Sequence, residues 1–290
     1  MMKNLKQKVA VVTGAGSGIG RATALALANE GCLLAISDIN ESNLEETRLA
    51  IEALDVRVLA TVLDVADRDA FEKYASDVAV TFGRVNIVIN NAGVIVRSSL
   101  QNISMEDFHW IMNINFWGMV YGSMAFLPYL KESGEGHICN VSSMFGMMAP
   151  ANVGAYAAGK FAVRAFSETL RTELDVEECG VSVTSIHPGM IKTTILRDGR
   201  LDPSLLEEIG AADKEEAHAQ YIQRAFNTPE KVAESIVKGI KKNRMRVLVG
   251  FDAYLVDWAT RLTPVLFRRL ATKVLKMDKA KRQKTAVTST

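Results

Sequence analysis

The chain has 290 residues with 34 basic and 33 acidic side chains, and a net charge of +1 excludes binding to a polyanion by bulk charge. Hydrophobic residues make up 48% and charged residues 23%, enough for the core of one large or two small soluble domains. There is no run of about 18 apolar residues to cross a bilayer, no secretory pattern in the polar, basic residues 1–8, and no metal spacing among Cys32, Cys139 and Cys179, so a reduced, cytoplasmic setting is expected.

Taken in order, the chain alternates strand and helix. A strand is expected at 8–13, where Val9-Ala10-Val11-Val12 is apolar throughout. It runs into Thr13-Gly14-Ala15-Gly16-Ser17-Gly18-Ile19-Gly20, and a helix follows at 21–30. Glycines let the backbone turn tightly and approach a bulky anion. The helix that starts there aims unpaired N–H groups and a positive dipole end at a phosphate. Gly14, Ser17, Gly18, Ile19 and Gly20 are therefore candidate contacts to a dinucleotide.

A second strand at 33–37 ends in Asp38, and a helix follows at 41–54. A third strand at 57–63 ends in Asp64-Val65, followed by a helix at 67–82. The fourth strand, 87–89, runs into Asn90-Asn91-Ala92-Gly93. A long helical stretch at 105–130, strands at 137–141, 181–186 and 247–249, and helices at 156–178 and 231–241 complete the pattern. Apolar strands separated by helices predict an α/β, doubly wound Rossmann-type parallel sheet of about seven strands with helices on both faces. One domain is expected over 1–250, with a C-terminal extension at 251–290.

Ligands of such a sheet sit at the carboxyl ends of its strands. Asp38, about 20 residues past the glycines, can accept hydrogen bonds from both ribose hydroxyls of NAD and would repel the extra phosphate of NADP. Neither Ser17 nor Ile39 supplies the basic side chain that such a phosphate needs, so NAD is favoured over NADP. Asp38 can also cap the next helix. Asp64 can bond the adenine amino group or cap the helix starting near Asp67.

Tyr156 and Lys160 lie at i and i+4 and share a helix face. A lysine beside a phenol favours phenolate, so the tyrosine pKa is expected to fall from about 10 towards working pH. Ser143 follows a strand thirteen residues earlier and can hold a carbonyl oxygen beside the tyrosine.

These residues, with Thr13-Gly14-x-x-x-Gly18-x-Gly20, Asp64, Asn90-Asn91-Ala92-Gly93, Asn115 and Pro188-Gly189, occur in an order that resembles the short-chain dehydrogenase/reductase family over about residues 5 to 250. The resemblance implies hydride transfer between a nicotinamide and an alcohol or ketone carbon. It implies Tyr156 as acid/base, Ser143 as anchor of the carbonyl oxygen, and Lys160 on the nicotinamide ribose. Asn115 would hold a water that links Lys160 to solvent. Asn91, Ala92 and Gly93 would pass close to the adenosine ribose, and Pro188, Gly189, Ile191 and Thr193 would clamp the nicotinamide carboxamide. The family also implies a homodimer or homotetramer through the two long helices, and no metal.

The substrate wall is expected from Val94, Met144, Phe145, Met148, Met190 and Ile195, an adaptable apolar set suited to a lipophilic secondary alcohol or ketone. Residues 194–227 read as a helical lid. From Lys238 onwards fourteen basic and three acidic residues give the end of the chain +11 and leave −10 on the rest. Within it, 258–276 forms a basic amphipathic helix that carries Leu262, Val265, Leu266, Leu270, Val274 and Leu275. Two readings stay open: peripheral contact with an anionic membrane, or packing on the body or a partner subunit. Residues 279–290 are expected to be disordered. Nucleic acid is not expected as a partner, because the body is acidic and aromatic–basic interleaving is absent. A different class of function, a catalytically silent nucleotide-binding scaffold or sensor, fits the same fold.

Overall fold

The computed structural model describes residues 2–288. The first half contains β1 (Val9–Thr13), α1 (Gly18–Asn29), β2 (Leu33–Asp38), α2 (Glu41–Glu52), β3 (Val58–Val62), α3 (Arg68–Phe82) and β4 (Ile87–Asn90). Next come β5 (Val96–Arg97), α4 (Met105–Met112), α5 (Gly118–Glu132), β6 (Gly136–Val141), α6 (Gly154–Glu177) and β7 (Val181–Pro188). The remainder comprises α7 (Ile195–Asp198), β8 (Arg200–Leu201), α8 (Ser204–Ile209), α9 (Lys214–Arg224), α10 (Pro229–Lys241), β9 (Arg246–Val249), α11 (Phe251–Leu262) and α12 (Pro264–Thr288).

Seven strands form one parallel sheet in the order β3-β2-β1-β4-β6-β7-β9. The order reverses between β1 and β4, and a crevice opens there at the strands' carboxyl ends. Every residue of β1, β4 and β6 is buried, which explains why Val9-Ala10-Val11-Val12 and Ile87-Val88-Ile89 are apolar without alternation, while the buried His137, Asn90 and Asn140 are hydrogen-bonded. On one face Leu27, Ile36, Ile89, Ile236 and Ile240 pack together beneath α1 and α10. On the other, Phe71, Tyr74 and Phe126 meet edge to face at 5.9–6.3 Å between α3 and α5.

Local chemistry sets the helix boundaries. The Asp67 carboxylate accepts the Ala70 N–H to start α3, and Gly83, at φ 72°, ends it. Asn40, rather than Asp38, caps α2 through the Asn43 N–H. The start of α1 has no side-chain cap, since Ser17 makes none, so its first N–H groups are left for a ligand.

Three expectations change. The stretch read as one helix over 105–130 is two helices joined by a π-helical turn, Asn113–Trp117. The amphipathic tail is interrupted at Thr263-Pro264, because proline cannot continue the hydrogen-bond ladder of α11. The expected disorder at 279–290 gives way to helix through Thr288, over a run rich in Lys, Arg, Gln and Ala. Residues 289–290 and the side chains of Leu275 and of 278–288 lie outside the described residues. No described helix is long and apolar enough to cross a membrane.

Candidate active site

The crevice holds a cavity of about 1070 Å³ that runs from the glycine loop to the lid. Gly14, Ser17, Gly18, Ile19, Asp38, Asp64, Val65, Asn91, Ala92 and Gly93 line its nucleotide end. Gly14 sits at φ +64°, and a Cβ there would come within 2.7 Å of Ala92 Cα. The cradle between β1 and β4 is thus a backbone-to-backbone contact that only glycine permits. Asn91 locks it, donating from its side chain to the carbonyls of Thr13 at 3.0 Å and Gly14 at 3.2 Å. Gly20 does not line the cavity; it lies beneath the loop, where a Cβ would strike the Gly14 carbonyl.

Asp38 accepts the Gly16 N–H at 2.8 Å and the Asn40 N–H at 2.9 Å. The carboxylate is therefore held at the rim of the glycine loop, oriented by two backbone donors. Asp64 accepts the Ala66 N–H at 2.9 Å and leaves the capping of α3 to Asp67. These residues fit a dinucleotide: uncapped N–H groups for the phosphates, a glycine cradle, and a fixed carboxylate where the ribose would lie.

Ser143, Tyr156 and Lys160 come together at the centre. Tyr156 and Lys160 ride on α6, whose first turns pack against the 3₁₀ turn Met144–Gly146. Ser143 opens that turn by accepting the Phe145 N–H at 3.1 Å. The Phe145 ring meets the Tyr156 ring edge-on at 6.3 Å. Lys160 donates to the Val141 carbonyl at 2.9 Å, and its Nζ stands 5.6 Å from the Tyr156 ring centre.

The expected fall in the tyrosine pKa is not what the protein's own atoms give. Burial raises the Tyr156 phenol, and the hydrogen bond from Ser143 offsets this only in part. Burial likewise pushes Lys160 down to about 8. The Lys160 ammonium donates to the Val141 carbonyl, not to the phenol, so burial governs the tyrosine.

Asn115 does not line the cavity. It sits in the π-helical turn beneath the floor, fully buried, and clamps Val94 twice at 2.8 Å, accepting the Val94 N–H and donating to the Val94 carbonyl. The Asn115 amide oxygen and the Lys160 ammonium nonetheless share the space beside Gly93, at 3.2 and 3.4 Å from a Cβ built there.

Pro188, Gly189, Ile191 and Thr193 form the opposite wall. Thr193 faces the glycine loop, 3.3 Å from a Cβ built on Gly18. Of the expected substrate residues, Val94, Met144, Phe145, Met190 and Ile195 line the cavity, whereas Met148 does not. Met148 packs instead with Met147, Ala253 and Val256, since the 3₁₀ turn seats against α11 and directs the following residues there.

Several cavity or wall residues carry no local sequence signal. Asp252 of α11 accepts the Met190 N–H at 2.6 Å, and Asn227 bridges Asp252 and the Met190 carbonyl. Tyr221 of α9 donates to the Ile191 carbonyl at 2.8 Å. His187 is wholly buried behind Ser143. Its Nδ1 lies 3.1 Å from the Ser143 carbonyl and therefore carries the proton, and its Nε2 lies 2.9 Å from the Ser185 hydroxyl. Arg97, Trp110 and Arg224 line the substrate end. Each comes from an element distant in sequence, so only the fold brings them to the site.

A family model described as short chain dehydrogenase matches residues 8–203. SadH of Mycobacterium tuberculosis is 40% identical over 271 residues, covering 93% of this chain and 95% of that protein. A C alpha-dehydrogenase of a Sphingobium species is 33% identical over 251 residues, covering 85% of this chain and 82% of that protein. Among solved structures, a short chain dehydrogenase/reductase from Burkholderia phymatum in complex with NAD aligns with a TM-score of 0.78 and 29% identity, over 89% of this chain and 92% of that one.

Proposed function

The chain belongs to the short-chain dehydrogenase family of oxidoreductases, and from that premise we propose that it transfers hydride between NAD(H) and a lipophilic secondary alcohol or ketone. The observation that carries this reading is a single cavity holding the Asp38 rim, Ser143, Tyr156 and Lys160. When bound, the nicotinamide supplies the hydride chemistry. Asp38 favours NAD, because neither Ser17 nor Ile39 supplies a basic side chain for the 2′-phosphate of NADP.

The protein's own part is proton transfer and placement. Tyr156, kept protonated by burial, is in the form that donates to a carbonyl oxygen as it gains charge. The Ser143 hydroxyl donates to the same oxygen, and both bonds strengthen as alkoxide develops. In the reverse direction the phenolate accepts the alcohol proton. Met144, Phe145, Met190 and Ile195 form an apolar wall that excludes water and suits a lipophilic body.

The lid is the segment from α7 to α9, fastened by the β5–β8 pair and by Tyr221. The assembly we propose is a homo-oligomer. Trp117, Met124 and Phe161 are exposed on or beside α5 and α6, and the −10 body of a second copy complements the +11 carried from Lys238 onwards. Within the tail, Phe267 packs beside Met144, Met147, Ala253 and Val256, whereas Leu262, Val265, Leu266, Leu270 and Val274 are exposed, and the second subunit is the surface that covers these five.

Purified protein with NAD⁺ or NADP⁺ and a panel of secondary alcohols tests the reading. Turnover with NAD⁺ is expected; NADH binding without turnover of any alcohol or ketone would favour the silent-sensor function instead.

A further inference from the structure

Three arginines, Arg97, Arg197 and Arg224, line the substrate end of the cavity, and hydride transfer uses none of them. Arg97 stands on β5, three residues beyond Val94, whose backbone Asn115 clamps on both sides. Val96 and Arg97 also pair with Arg200 and Leu201 of β8, the strand of the lid. Arg224 ends α9, and it shares with Ala217, Gln220 and Tyr221 the helix face that lines the cavity. One arginine thus belongs to the rigid body and the other to the lid.

Neighbouring arginines are already occupied. Arg197 pairs with Asp198 at 3.3 Å, and Arg200 pairs with Asp107 at 2.5 Å while lying 4.0 Å over the Trp110 ring. Arg97 and Arg224 make no ion pair among the described residues. Burial lowers the Arg97 pKa, the Arg224 charge lowers it further, and Glu208 offsets this in part. A half-buried cation with a like charge near it on the lining of the same cavity is an unfavourable arrangement that an anion bound there would relieve. Guanidinium groups also present paired donors that match the geometry of an oxyanion.

We propose that the substrate carries an oxyanion group, a carboxylate or a phosphate, remote from its reacting carbon, and that Arg97 and Arg224 hold this group at the lid end of the cavity. The proposal rests on the reading that this cavity binds an alcohol or ketone. It refines that reading to an amphipathic molecule with an apolar body along Phe145 and Trp110 and a charged end. Because the two arginines come from body and lid, the anion would also draw α9 down over the site.

The test is isothermal titration calorimetry of the full chain, with and without NAD⁺, using biphenyl-4-carboxylate, its methyl ester and biphenyl-4-yl phosphate. At least one oxyanion should bind tenfold or more tighter than the ester, and the tighter of the two identifies the group. Arg97→Met and Arg224→Gln should each remove most of that preference and leave the ester's affinity unchanged. The first keeps the apolar stem, and the second alters an exposed residue. Equal affinity for acid and ester, or failure of both oxyanions to bind, would overturn the proposal. Binding needs no turnover, so oxyanion preference in a protein that oxidises no alcohol would leave this subsite standing while the redox reading failed. Turnover of neutral alcohols without any such preference would do the reverse.

Discussion

At the scale of single residues, environment decides more than identity. Asp38 is one carboxylate among 33 acidic residues, but two backbone N–H groups hold it at the rim of the glycine loop. Exchanging its charge should exchange the cofactor: Asp38→Ser with Ile39→Arg is expected to raise kcat/KM for NADP⁺ relative to NAD⁺ at least tenfold, and an unchanged ratio would contradict the ribose role. Two buried histidines make a separate prediction about stability. Burial, with help from Arg171, lowers His137 to about 3, and burial lowers His187 to about 4. Unfolded histidine takes up its proton near 6.5, so each residue contributes stability above that pH and loses it as pH falls towards the folded value. Urea unfolding between pH 6.5 and 4.5 should show a slope with a contribution of about 1.4 kcal/mol per pH unit from each histidine. His137→Gln should remove one such contribution; an unaltered slope would show that His137 is protonated in the folded state.

At the scale of elements, legibility followed the range of the signal. The glycine loop, the uninterrupted apolar strands and the i, i+4 pair on α6 are local patterns, and all appear where their periodicity places them. The π-helical turn at Asn113–Trp117 left no such trace. It answers to tertiary packing: Gly118 fits against Val65, and Gly122 lets α5 approach Asn90 and Phe71. Gly122→Ala should therefore cost about 1–3 kcal/mol of stability through overpacking, measured as a lower urea midpoint, even though alanine is the better helix former. The roles of Asp252, Asn227 and His187 were equally hidden, because each meets the site only through contacts across the fold. The apolar character of Met148 was legible, whereas its direction was not, since direction depends on where α11 lies.

At the scale of the whole molecule, charge is divided between an acidic body and a basic end, and α12 holds much of that basic end in a helix with exposed apolar side chains. Burial of that helix in a second copy predicts that light scattering after gel filtration finds a dimer or tetramer, and that ending the chain at Thr263 lowers the assembly state or makes it salt-sensitive. A monomer that floats with anionic vesicles would point to a membrane as the covering surface instead. The glycine loop, the catalytic residues and the lid meet in one cavity, where Tyr156 is proposed to move the proton. The most direct measurement is absorbance at the reduced-nicotinamide band, with NAD⁺ and a panel of secondary alcohols, wild type beside Tyr156→Phe. Turnover by the wild type is expected, with a loss of at least about 10²-fold in the variant and NADH binding unchanged. Equal rates from the two proteins would contradict that role of Tyr156.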